Sequence, residues 1–63
     1  MRILLVEDER RVASVVSRAL RENSYEVDVA DTGEKALEMA AHTPYDSILL
    51  DIRLPGDERS TDE

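Results

Sequence analysis

Two short apolar runs, "RILLV" at 2–6 and "DSILLD" at 46–51, each end at a carboxylate, and no other feature restricts the fold so strongly. A strand wetted on one face alternates apolar and polar residues. An uninterrupted apolar run marks a strand covered on both faces, as in a parallel sheet flanked by helices. Parallel strands need crossover connections, and the intervening sequence supplies them. From Glu9, the residues Val12, Val15, Val16, Ala19 and Leu20 recur at three-to-four spacing, with Arg10, Arg11, Ser17, Arg18 and Arg21 on the other side. This predicts an amphipathic helix of about four turns, capped by Asp8 and ending near Asn23. "YEVDVA" at 25–30 sets Tyr25, Val27 and Val29 against Glu26 and Asp28, the alternation of an edge strand with one buried face. Asp31 and Thr32 offer cap oxygens, Glu34 follows Asp31 at capping-box spacing, and Ala36, Leu37, Ala40 and Ala41 form a second apolar stripe that stops before Pro44.

The expected fold class is therefore α/β: strand, helix, strand, helix, strand with short links, all strands parallel and the crossovers right-handed. With the second strand at an edge and the other two central in character, the spatial order is 2-1-3. The winding reverses between the first and third strands, and open parallel sheets bind ligands at the carboxyl ends of strands flanking such a point.

Composition narrows the function. A chain of 63 residues is at most one small domain, with a thin stability margin and no cysteine to supply disulfides or thiolate ligands. Fifteen acidic against eight basic residues give a net charge of -7, which disfavours direct nucleic-acid binding. Two tyrosines are too few for a base-stacking platform. No signal peptide and no membrane-length apolar run is visible, so a soluble cytoplasmic protein is expected.

Glu7 and Asp8 follow the first strand and Asp51 ends the third, so the topology brings three acids to the reversal point. Clustered carboxylates need a neutralising partner, and a hard divalent cation such as Mg2+, with oxygen ligands and phosphate, is the economical one. Taken alone, Glu7 to Glu9 could serve only as an acidic helix start that complements the dipole. Asp51 behind a second buried strand shifts the balance toward a site. His42, at a helix end before Pro44, reads as a dipole partner rather than a ligand. Gly33 alone makes no phosphate loop, Met39 reads as core, and the Arg53 side chain reads as surface.

"LLVEDE" at the first strand and "SILLDIRLPG" at the third, with the spacing between them, resemble the receiver domain of bacterial two-component response regulators. The resemblance covers residues 1–56 and implies a βαβαβ half of a flavodoxin-like, CheY-like fold: a three-stranded parallel sheet in the order 2-1-3. It further implies that Asp51 is the phosphoacceptor, taking a phosphoryl group from a sensor histidine kinase. Magnesium would be held by Asp8, Asp51, Glu7 and the backbone carbonyl of Arg53, with Asp8 the more direct of the acid pair. The module is then a signalling phosphoprotein rather than an enzyme.

A complete receiver has five strands and five helices, with a hydroxyl residue after the fourth strand and a lysine after the fifth. No residue here takes those places; Lys35 falls in the second helix. The final "DERSTDE", 57–63, has five charged residues and no apolar one, and is expected to be a disordered acidic tail. The sequence thus reads as a truncated receiver with impaired switching. The third strand would lose one neighbour, and Val12, Val16 and Leu20 part of their cover, so a homodimer is expected. The alternative function is a self-associating structural or interaction fragment without phosphotransfer. An aspartyl phosphatase ranks last, because the position two residues after Asp51 is Arg53 rather than an acid.

Overall fold

The computed structural model of the protein describes residues 1–51, and of Asp51 only the backbone. Arg53, the Leu-Pro-Gly turn at 54–56 and the tail at 57–63 lie outside the described residues.

Strand β1 (Arg2–Glu7) leads into helix α1 (Arg10–Glu22), strand β2 (Glu26–Ala30), helix α2 (Gly33–His42) and strand β3 (Ser47–Asp51). The sheet is parallel and ordered β2-β1-β3, as the apolar pattern predicts. β1 carries the core because, among the described residues, it alone has a strand on both sides and a helix over each face. Leu4, Val6, Ala30 and Ala36 cluster on the α2 side with Met39 and Tyr45 against them. Leu5, Ala13 and Val27 cluster on the α1 side with Val16 and Leu20. Successive β1 residues thus serve opposite faces, as the pleat requires.

Several local expectations shift by a residue. α1 starts at Arg10 with Glu9 in the cap position and no side-chain cap, so Asp8 sits one place too early to cap. No acid occupies its first turn, and of Glu7 to Glu9 only Glu9, in the cap position, stands directly at the helix start. Ser17, expected on the wet side of α1, is buried, and its hydroxyl donates to the Ser14 carbonyl at 3.1 Å. Thr32 caps α2, accepting from the Lys35 amide at 3.1 Å. Glu34 therefore falls in the first turn and not at capping-box spacing, where it still complements the helix dipole. His42 ends α2 as expected, its Nδ1–H donating to the Glu38 carbonyl at 2.8 Å.

β2 is not wet along one face: Val27 and Ala30 are buried on opposite sides, while Val29 and Tyr25 are exposed. α2 crosses over this strand and α1 lies beneath it, so both faces have cover in the middle. Arg21 reaches from α1 and donates to the Val27 carbonyl at 3.0 Å, occupying an acceptor of this edge strand.

α1 ends in a Schellman turn: the Tyr25 amide donates to the Leu20 carbonyl and the Ser24 amide to the Arg21 carbonyl. The motif forces Ser24 to φ 72°, where glycine is the usual residue.

β3 has the composition of a central strand but pairs, among the described residues, only with β1. Ile48, Leu49 and Leu50 are all exposed. Val12, Val16 and Leu20 are half-buried, so the larger open apolar surface lies not on α1 but on the opposite face, between α2 and β3.

Candidate functional site

The carboxyl ends of β1 and β3 meet because the parallel register runs from Ile3 beside Ser47 to Glu7 beside Asp51. Neighbouring strands lie about 4.8 Å apart. The backbone therefore brings two of the expected acids to one end of one strand pair, and Asp8 stands one residue beyond.

The two acids of the β1 end have different surroundings. Glu7 is only 4 % exposed, and its Oε2 accepts the Glu9 amide at 2.8 Å. That bond holds the turn between β1 and α1, which no side chain at the cap position does. Asp8 is exposed, so its carboxylate meets solvent at the mouth of the sheet. Among the described residues no three His, Asp or Glu side chains converge as a metal cage. The donor set at the strand ends nevertheless consists of hard carboxylate oxygens, the type that suits magnesium.

Beside these acids, between the ends of β1 and β2, lies a depression of about 350 Å³ lined by Glu7, Asp8, Arg10, Ala13, Val29, Asp31 and Lys35. Lys35 pairs with Asp31 at 3.3 Å. Its mixed charge comes from the first turns of both helices and the loops before them. Helical spacing alone does not disclose that convergence, because α1 and α2 cover opposite faces of the sheet.

The opposite end of the sheet carries a polar cluster that the sequence pattern did not reveal. Arg2 Nη2 pairs with Asp28 Oδ2 at 3.1 Å, and the Tyr45 hydroxyl donates to the same oxygen at 2.6 Å. The Arg2 guanidinium also lies over the Tyr45 ring, 5.9 Å from its centroid. The Arg2 amide donates to Asp46 Oδ2 at 2.7 Å. The cluster fastens the loop before β3 to both other strands. The Tyr45 bond, and after it Arg2, hold the Asp28 carboxyl below the usual aspartate range, with partial desolvation opposing them.

A depressed folded pKa gives stability that is present above the unfolded pKa and lost as pH falls through the folded one. Thermal melts from about pH 5 downward are therefore expected to fall more steeply for the parent chain than for Asp28→Asn. Parallel curves would remove Asp28 from the acid response. The side chain is 31 % exposed, so solvent screens part of the effect.

The profile of the response regulator receiver domain matches residues 3–58. Over 55 residues, 87% of this chain, the sequence is 44% identical to response regulator MprA of Mycobacterium leprae and covers 24% of that protein. It is 44% identical over 55 residues to the transcriptional regulatory protein DltR of Streptococcus agalactiae, covering 25% of it. The transcriptional regulatory protein CusR of Escherichia coli is 40% identical over 55 residues, 24% of its length. The chain thus spans about a quarter of the length of the curated relatives it matches. No solved structure shows significant similarity to it. A βαβαβ sheet ordered 2-1-3, acids at the carboxyl ends of its first and third strands and a profile match over most of the sequence agree: the chain belongs to the response regulator receiver domain family.

Proposed function

We propose that the chain is a cytoplasmic phosphoacceptor module of a two-component phosphorelay, with Asp51 as the residue phosphorylated. The observation that carries this reading is the strand register that sets Asp51 beside Glu7 at the reversal point of the sheet. The donor is a phosphohistidine on a sensor histidine kinase: a carboxylate oxygen of Asp51 attacks phosphorus, the phosphorus–nitrogen bond breaks, and the imidazole leaves with a proton. The product is an aspartyl phosphate.

The donor set at the strand ends fits magnesium, with Asp8 and Asp51 as carboxylate ligands, Glu7 in support and the Arg53 carbonyl as a main-chain ligand. When bound, the ion offsets charge on the phosphoryl oxygens. The protein's own part is positional. Glu7 fixes the turn that presents Asp8, since its carboxylate holds the Glu9 amide, and β1 fixes Asp51 by register.

The test is incubation with magnesium and a small-molecule phosphodonor, followed by intact-mass measurement of the chain and of Asp51→Asn. An adduct on both, or on neither, overturns the assignment.

A second reading, self-association as a homodimer without phosphotransfer, is favoured by the edge of β3, which among the described residues pairs only with β1. Paired with itself antiparallel about Leu49, the strand sets Ile48 against Leu50 of the second copy and Asp51 against Ser47, so no like charges meet. Light scattering is expected to give a dimer mass at micromolar concentration. A cooperatively unfolding monomer there excludes this reading.

A further inference from the structure

Ile48, Leu49 and Leu50 fill the middle of β3 without a polar residue between them, and a strand that does not alternate does not index its own pairing. A slip of one residue exchanges the two faces of a strand, and where both faces are apolar the composition does not resist it. For the carboxyl end of the sheet the slip is decisive. In the observed register Asp51 stands beside Glu7. Displaced by one residue, β3 sets either Leu50 beside Glu7 or Asp51 beside Val6, and position 51 moves along β1 by about 3.3 Å.

The amino end of β3 carries what the apolar run lacks. The Asp46 amide donates to the Arg2 carbonyl at 2.8 Å, and the Arg2 amide donates to Asp46 Oδ2 at 2.7 Å. Together the two bonds close a ring between the first residue of β1 and the residue just before β3. The first bond uses only backbone and is open to any residue. The second needs an acceptor side chain of this reach at position 46. A slip brings Tyr45 or Ser47 opposite Arg2 instead, and neither replaces it: the tyrosine hydroxyl is committed to Asp28 at 2.6 Å, and the serine oxygen sits one bond closer to its own backbone. The Arg2 guanidinium over the Tyr45 ring holds the adjoining residue at the same place.

We infer that Asp46 is a positioning residue: its carboxylate fixes the register of β3 on β1 and thereby sets Asp51 at the reversal point, at the far end of the same strand. The functional consequence rests on the reading of Asp51 as the phosphoacceptor, whereas the register is measured without any phosphodonor. Asp46 is exposed, so its substitution opens no cavity. Asp46→Ala removes the acceptor. Asp46→Asn keeps an oxygen that can accept from the Arg2 amide. Asp28→Asn is the control, since it alters the neighbouring cluster and leaves the Arg2–Asp46 ring intact.

Two measurements on the full chain test this. Cross-strand nuclear Overhauser contacts read the register, and intact mass during incubation with magnesium and acetyl phosphate reads the rate at which Asp51 attacks phosphorus and acetate leaves. The parent is expected to show one set of contacts, with Ile3 beside Ser47 and Val6 beside Leu50. Asp46→Ala is expected to shift most of the signal to a second set displaced by one residue and to slow adduct formation about tenfold, as when the competent register holds roughly a tenth of the molecules. That is the lower end for loss of a hydrogen bond with one charged partner, as befits a bond at the surface. Asp46→Asn and Asp28→Asn should keep the parent register and stay within about twofold of its rate. A single native register in Asp46→Ala, even with a lowered melting temperature, overturns the inference, because Asp46 would then support stability alone. A displaced register in Asp46→Asn or in Asp28→Asn also overturns it. An unmodified parent chain overturns the reading of Asp51, and the contacts then decide the role of Asp46 by themselves.

Discussion

Asp51→Asn is expected to carry no phosphoryl adduct under conditions that phosphorylate the parent chain, and Asp8→Asn to bind Mg2+ at least about tenfold more weakly. The asparagine at 51 keeps the size of the side chain but removes the nucleophilic carboxylate, so the loss is complete rather than graded. At position 8 the change removes one charged oxygen donor at an exposed site, where no packing is disturbed. Glu7→Gln should act more mildly on the turn, because the amide oxygen can still accept from the Glu9 amide that Glu7 now holds. Intact mass reads the first outcome and titration calorimetry with magnesium the second. An adduct surviving on Asp51→Asn assigns the phosphoryl group elsewhere. Unchanged magnesium binding by Asp8→Asn removes Asp8 from the ligand set.

Leu4→Ala is expected to leave the chain without a cooperative thermal transition. Leu4 is fully buried in the central strand, and leucine-to-alanine changes in such positions cost about 2–5 kcal/mol. A domain of this length has a margin of roughly 3–9 kcal/mol at ordinary values per residue. A chain this short buries a smaller share of its surface than a larger domain and sits toward the low end, so the cavity consumes most of what remains. Leu37→Ala is the contrast: the same change at a side chain 75% exposed should stay within about 0.5 kcal/mol. Circular dichroism melts of both variants decide the matter. A Leu4→Ala midpoint within about 5 °C of the parent, the shift expected for only ~1 kcal/mol, would show that the core is not centred on β1.

The elements and their order were legible because they depend on local spacing. Val12, Val16 and Leu20 announce a helix whatever they pack against, and "RILLV" announces a covered strand. The acids at the strand ends were legible for the same reason, since a residue's place at the end of a strand is a property of sequence. Their surroundings were not. That Glu7 is buried and holds the Glu9 amide, while Asp8 faces water, depends on where α1 begins, and that boundary is fixed by how the turn closes. The cluster of Arg2, Asp28 and Tyr45 joins residues up to 43 positions apart and follows from register, which sequence alone leaves open.

The sequence by itself determined a parallel βαβαβ unit in the order 2-1-3, because apolar periodicity and short links admit little else. Tertiary structure decided which apolar residues are covered. Leu4 and Leu50 sit in runs of the same composition, yet one is enclosed and the other is bare. Burial is set by the neighbours a strand acquires in space: β1 has a strand on each side and a helix on each face, whereas β3, among the described residues, pairs with β1 alone and has no helix packed on it.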